Sequence, residues 1–395
     1  MFPSFVPDKA RPLATRPHLI PSIFLVCLVG TVLPPSLANT LSVSAITLYL
    51  SAQIPKATSG KFAQDYMLPI QTLLLITQWL DFCVLHLPDE FSRDEDKEKI
   101  PKTWWEKLSW SWSLNTTYRG IGWNWKVKNV PEAAPLSTKK WKFVATEALK
   151  ACIWYLLYDL CRYPFTVSLY KSMSAPDIFS DSLPKQAFFA LMVGIMNYCA
   201  LNLQYSAGSA LAVATGLYTP QDWPPIMGRL SDVSSVRAFW GKFWHQNLRR
   251  KLTLPFNLIT KYIPIRHGTL VSRYTQLYLA FITTTAIHHI GAMNMPTSSN
   301  ANNLSQAAFF MLQPAAITLE DFVVYLAKKA GVKESRFTRA IGSAWTFVWF
   351  TYTLRFAVAF FANSGVLSEE VLPSAIHEAL GLIKRHSGGP GLEEL

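Results

Sequence analysis

Charge is scarce in this chain: only 16% of its 395 residues are Asp, Glu, Lys or Arg, where soluble domains usually carry about 25%. With half of the residues hydrophobic, that depletion argues against a string of ordinary water-soluble domains. No Gly/Ser-rich linker divides the chain, so a single domain over 1–395 is expected. The five cysteines (Cys27, Cys83, Cys152, Cys161, Cys199) form no CxxC pair, so neither a zinc site nor a disulfide framework is indicated. Each lies in or beside an apolar stretch and reads as a buried small hydrophobe. A serine nucleophile on a GxSxG elbow is missing. No apolar run contains HxxxH or HxxE, the spacing that helical metal ligands need, so no metal site is expected. An ion pathway would place acids inside apolar runs; the main candidates, Asp81 and Asp159, stand near the ends of theirs.

Long hydrophobic runs are what the chain does have. A membrane helix needs about 20 mostly apolar residues. Candidates cover 19–37, 40–54, 66–87, 143–161, 186–204, 206–219, 274–294, 305–327 and 341–362. The expected fold class is all-α, a polytopic membrane bundle of about 7–9 transmembrane helices with an interfacial amphipathic helix. Residues 1–18 lead into the first run, which reads as a retained anchor and not a cleaved signal. Prolines such as Pro55, Pro184, Pro220 and Pro264 punctuate the runs, since proline cannot continue a helix.

Two polar stretches interrupt the runs. Residues 88–142 carry eleven Lys/Arg, eight acids and seven tryptophans, and are expected to lie along the membrane surface, where tryptophan is favoured. Residues 220–273 carry nine Lys/Arg against two aspartates, more than half of the net charge of +12. Flanked by apolar runs, this patch points to lipid headgroups or the phosphates of a soluble co-substrate, and not to nucleic acid. The excess of positive charge places both stretches on the cytoplasmic side. A tail, 364–395, follows the last run. Asn115-Thr-Thr and Asn303-Leu-Ser match the glycosylation pattern.

Residues 234–251, SSVRAFWGKFWHQNLRRK, concentrate aromatic rings, a histidine and basic residues. As a helix over 236–251 with Ser234 or Ser235 as N-cap, they align Val236, Phe239, Trp240, Phe243, Trp244 and Leu248 on one face. His245 then flanks that face, turned to the interior or left solvated on a surface-lying helix. Further on, AFITTTAIHHIGAMNM (280–295) carries His288 and His289 in an apolar run. Histidine moves protons near neutral pH, and an apolar span has little reason to hold one unless it is used or paired.

The S-V-R-A-F-W-G-K-F-W-H-Q-x-L-R-R segment followed by a histidine-bearing apolar helix resembles the wax synthase-like branch of the membrane-bound O-acyltransferases, in particular fungal members that acetylate terpenoid and meroterpenoid alcohols. Phe239-Trp240 and Phe243-Trp244-His245-Gln246 match the family's FW…WHQ core, and His288 stands at the place of its helix histidine. Thr284-Thr285 replace a common Ser-Gly, and Ala238 a common acid. The resemblance implies an acyl-CoA-dependent O-acyltransferase of the endoplasmic reticulum, with acetyl-CoA as co-substrate and no bound cofactor, acting on a lipophilic alcohol in secondary metabolism. It implies His288 as base, supported by His245. Phe239, Trp240, Trp244, Gln246, Asn247, Arg249, Arg250 and Lys251 would bind donor or substrate, the three basic residues at the coenzyme A phosphates. Direct transfer needs a base for the hydroxyl proton and donors for the oxyanion, which agrees with the missing nucleophile. Alternatives are a longer-chain, wax-ester type of transferase and a non-catalytic transporter or lipid-binding membrane protein.

Overall fold

The computed structural model describes residues 11–93, 101, 103–168, 178–295 and 304–386. Among these the regular structure is helical, and the only β pairing is two isolated bridges, Leu13 with Thr58 and Arg93 with Trp123. Among the described residues, five helices are long and apolar enough to cross a membrane: Leu37–Lys56, Phe62–Leu85, Leu183–Ala214, Leu304–Lys329 and Arg336–Ala362. The separate runs expected at 186–204 and 206–219 are one helix, because Tyr205 and Ser206 are helix-compatible residues with no breaker between them.

The chain forms two compact units. The first contains α1 (Leu19–Val32), α2 (Leu37–Ser51), α3 (Phe62–Trp79), α4 (Trp104–Thr116), a short turn α7 (Val236–Ala238), α8 (Arg249–Tyr262), α9 (Leu270–Asn294), α10 (Leu304–Lys329) and residues 336–349 of α11 (Arg336–Asn363). Ile23 and Cys27 of α1, Val43 of α2, and Leu75 and Trp79 of α3 make one apolar core. α9 packs on α3, α8 and α10. Its contact with α3 is close at Gly291, where an added Cβ would stand 2.7 Å from the Tyr66 carbonyl oxygen.

The described part of the Trp-rich stretch contains a capped helix. Thr103 caps α4, its hydroxyl accepting from the Glu106 N–H while Glu106 reaches back to the Thr103 N–H, a capping box. Leu114 and Trp123 then pack on Phe82 and Phe91, while Trp104, Trp105 and Trp112 stay exposed. Asn115 is buried and donates to the Ser111 carbonyl, so it is not presented for glycosylation. Asn303 lies outside the described residues.

The second unit contains α5 (Lys140–Thr166), α6 (Leu183–Ala214), residues 350–363 of α11 and α12 (Ala375–His386). α5 and α6 pack along most of their length. Phe165, Phe189, Val193 and Val358 are at the centre of its core. Asp159 caps α12, accepting from the Ile376 N–H at 3.0 Å. Cys27, Cys161 and Cys199 are buried as expected, but Cys152 is exposed on the outer face of α5.

Candidate active site

The segment expected as one helix over 236–251 is broken. Ser235 is its N-cap, accepting from the Ala238 N–H at 2.9 Å. After α7 the chain widens into a π turn, Phe239–Phe243, closed by the Trp244 N–H donating to the Phe239 carbonyl at 2.7 Å. Trp244 then turns extended, and α8 begins only at Arg249. Gln246 stabilises the bend: its amide donates to the Trp240 carbonyl at 3.1 Å and to that of Trp244, and its Oε1 accepts from Arg249 at 2.5 Å. A continuous helix would satisfy those carbonyls with its own N–H groups; here a side chain does so, and the ring faces are released from a helical stripe. Such π turns recur at functional sites.

A polar stripe on α10 holds this segment. Gln306, Gln313 and Glu320 are spaced by seven residues, about two turns, and so share a face. Glu320 accepts from the Val236 N–H at 2.6 Å, the Arg237 N–H at 3.1 Å and the Trp345 indole at 3.0 Å. It thereby satisfies N–H groups that a helix start leaves open. Gln313 Oε1 accepts from the indoles of Trp240 at 3.4 Å and Trp349 at 3.3 Å. Asp321 pairs with Arg237 and Arg273 and accepts from Tyr274.

Trp240 meets Phe281, Phe309 and Phe310 edge-on or tilted, with ring centroids 5.7–6.5 Å apart. Phe310 stacks on the imidazole of His288, centroids 4.6 Å apart and planes 15° from parallel. The His288 Nδ1 is 2.8 Å from the Tyr66 hydroxyl of α3. Tyr66 and its neighbour Gln306 are buried, whereas His288 remains partly accessible. His289, the second of the pair, has an Nδ1 that is buried with no hydrogen-bond partner.

His245 stands in the bend beside Trp244, ring centroids 5.5 Å apart. Its Nδ1 is shielded from solvent and has no hydrogen-bond partner. Burial, reinforced by the nearness of His288 and of Arg119, pushes its imidazole down to about 4; a ring in low dielectric avoids charge. It is therefore neutral at pH 7. Two histidines from distant parts of the chain thus come within electrostatic reach of each other, as the sequence suggests.

The basic run is engaged inside the protein. Arg250 forms a two-point pair with Asp81, at 2.5 and 3.0 Å, with its guanidinium over Phe82, Phe91 and Trp125. Lys251 is buried, donates to Gln78 Oε1 at 3.0 Å and faces the Tyr118 ring. Burial lowers its ammonium to about 8. Arg249 donates to the Gly241 carbonyl and to Gln246. All three tie the start of α8 to α3, to the turn that follows α3, or to the bend, and Asn247 stays partly exposed beside them. The pairing of Asp81 with Arg250 and His86 makes it a structural partner of the motif.

Composition alone does not reveal Tyr66, Gln306, Gln313 or Glu320. The available signal is three polar side chains at seven-residue intervals in an apolar run, which marks one face of α10 as turned inward.

The sequence model of the Membrane bound O-acyl transferase family matches residues 223–312, and that of the Aspirochlorine biosynthesis protein F C-terminal domain matches residues 139–214. The chain is 27% identical over 344 residues to Acetyltransferase ple2 of Rhodocybe pseudopiperita, covering 85% of this chain and 88% of the relative. It is 29% identical over 265 residues to Acetyltransferase sirH of Emericella nidulans, covering 66% of this chain and 60% of that protein's length. O-Mevalon transferase macI of Penicillium terrestre is 26% identical over 274 residues, 63% of this chain and 61% of its own. The resemblance read from FW…WHQ and the helix histidine is borne out. The chain is an acyltransferase, and an integral membrane protein by this likeness and its apolar helices.

Proposed function

We propose that the protein transfers an acetyl group from acetyl-CoA to a hydroxyl of a lipophilic alcohol, terpenoid or meroterpenoid in class, in the endoplasmic reticulum membrane. The observation that carries the reading is the convergence of His288 and His245 at an aromatic wall formed by α9, α10 and the bent motif. His288 takes the hydroxyl proton while the acceptor oxygen attacks the thioester carbonyl. Collapse breaks the C–S bond, the thiolate recovers the proton from His288, and ester and free coenzyme A leave. Neutral His245, with Asn247 beside it, supplies donors to the oxyanion. Gln246 acts through the bend, since both ends of its carboxamide are engaged there. Trp240, Phe239 and Trp244 offer rings to an apolar acceptor. Of the basic run, partly exposed Arg249 is the member that would offer charge-assisted contacts to the donor phosphates, while Arg250 and Lys251, engaged by Asp81 and Gln78, hold the start of α8 in place.

Membranes carrying the protein, supplied with acetyl-CoA and the alcohol that accumulates in a deletion strain, are expected to form its acetyl ester and free coenzyme A in equal amounts. An accumulating compound that lacks no acyl group relative to the end product would overturn the reading. A different acyl donor is the second reading, favoured by the relative named O-Mevalon transferase. Competition between acetyl-CoA and longer or branched acyl-CoA separates the two.

A further inference from the structure

Among the described residues, the base proposed for the reaction has a hydrogen-bonded neighbour at Nδ1, and that neighbour is itself held. Tyr66, on α3, is 2.8 Å from His288 Nδ1. Gln306, on α10, has its side-chain carboxamide 2.7 Å from the same hydroxyl. The three groups come from three helices and form a chain closed off from solvent at Tyr66 and Gln306. Such a chain can run in two directions. If the Gln306 amide donates to Tyr66, the phenol proton goes to Nδ1 and the imidazole proton is left on Nε2, where it blocks proton acceptance. If the carboxamide is turned over, its oxygen takes the phenol proton, the Tyr66 oxygen accepts from Nδ1–H, and Nε2 presents a lone pair. The oxygen and nitrogen of a carboxamide are told apart only by their hydrogen-bond partners.

We propose that Tyr66 and Gln306 are positioning residues that hold His288 as the Nδ1–H tautomer, through Nδ1–H donating to Tyr66 and the Tyr66 hydroxyl donating to Gln306 Oε1. This rests on His288 being the base. The chain also serves the second half of the reaction: with the proton on Nε2, Nδ1–H still donates to Tyr66, so the cation keeps its partner without any rearrangement. Phe310, stacked on the ring, resists its rotation. Gly291, one turn along α9, has no side chain to push the Tyr66 backbone away.

Tyr66→Phe removes one oxygen and keeps the ring. It is expected to lower kcat by roughly 10- to 100-fold with KM for both substrates nearly unchanged, as loss of a histidine's orienting partner does elsewhere. Gln306→Leu is expected to lower kcat in the same direction, and Gln306→Glu, which retains an acceptor oxygen, to recover part of it. Nitrogen-15 spectra of histidine-labelled protein in detergent, with His288→Asn to assign the resonance, read the tautomer directly. The expectation is a protonated Nδ1 in the wild type and a mixture in Tyr66→Phe. A proton found on Nε2 in the wild type, or full kcat in a folded Tyr66→Phe protein, overturns the proposal. If His288→Ala is fully active, the base assignment itself fails; if it is inactive while Tyr66→Phe is unimpaired, only the positioning role fails.

Discussion

A partly buried imidazole held neutral ties the stability of the protein to pH, and His245 is the residue where this is testable. An unfolded histidine takes its proton near 6.5, whereas His245, enclosed by the bend and facing His288 of α9 and Arg119 after α4, does so only at about 4. Between those values the unfolded chain binds more protons than the folded one, so acidification through that window favours unfolding. Thermal stability in detergent is expected to fall from pH 7 to pH 4.5, and less steeply in His245→Gln; equal slopes would contradict the burial argument. Glu320 makes a second residue-scale prediction. Its carboxylate accepts from two backbone N–H groups and one indole, and Glu320→Ala would leave these part-buried donors open, that of fully buried Val236 among them. Each such group costs about 1–3 kcal/mol, so a loss of at least that size should appear in unfolding measurements. The two candidate histidines stand out in the sequence because histidine in an apolar context is unusual. Tyr66 was not, because a phenol in an apolar helix is ordinary until its partner, 222 positions away along the chain, is known.

Helices explain where the reading of local pattern succeeded and where it failed. Ser235 caps the motif as its side chain suggests, and the apolar spacing that follows is real. What spacing alone does not report is the competition from Gln246 and Arg249, which bind carbonyls that a regular helix would have used. The bend therefore depends on side-chain partners, and the Trp240 ring meets α9 and α10 beside it. The close approach of α3 and α9 gives the element-scale prediction. A methyl group at Gly291 meets the Tyr66 carbonyl and the Ile70 side chain, so the helices must separate by a few tenths of an ångström or more. Gly291→Ala is expected to lengthen the Tyr66–His288 hydrogen bond and lower kcat more than it raises KM. Unchanged kinetics in this variant would mean that the spacing of α3 and α9 does not set the geometry of the histidine.

For the whole chain, low charge and long apolar runs were enough to give an all-helical membrane protein, because hydrophobic thickness sets helix length directly. The number of crossings was harder to read. α5 carries Lys142, Glu147, Lys150, Asp159 and Arg162, and α9 carries Arg273 with the threonine and histidine clusters; five other helices meet the length and hydropathy expected of a span. The grouping into two units was also hidden, since residues far apart in the chain join each of them. The first unit alone contains the motif, α9, α10 and the hydrogen-bond chain to His288, which makes the proposed chemistry a property of that unit. The most direct measurement is acetyl transfer to the alcohol of the deletion strain by membranes containing equal amounts of wild-type and His288→Ala protein, with thermal stability followed in parallel. Loss of the general base should lower turnover by roughly 10²–10⁴-fold at unchanged stability, whereas undiminished ester formation by the folded variant would contradict the assignment of His288.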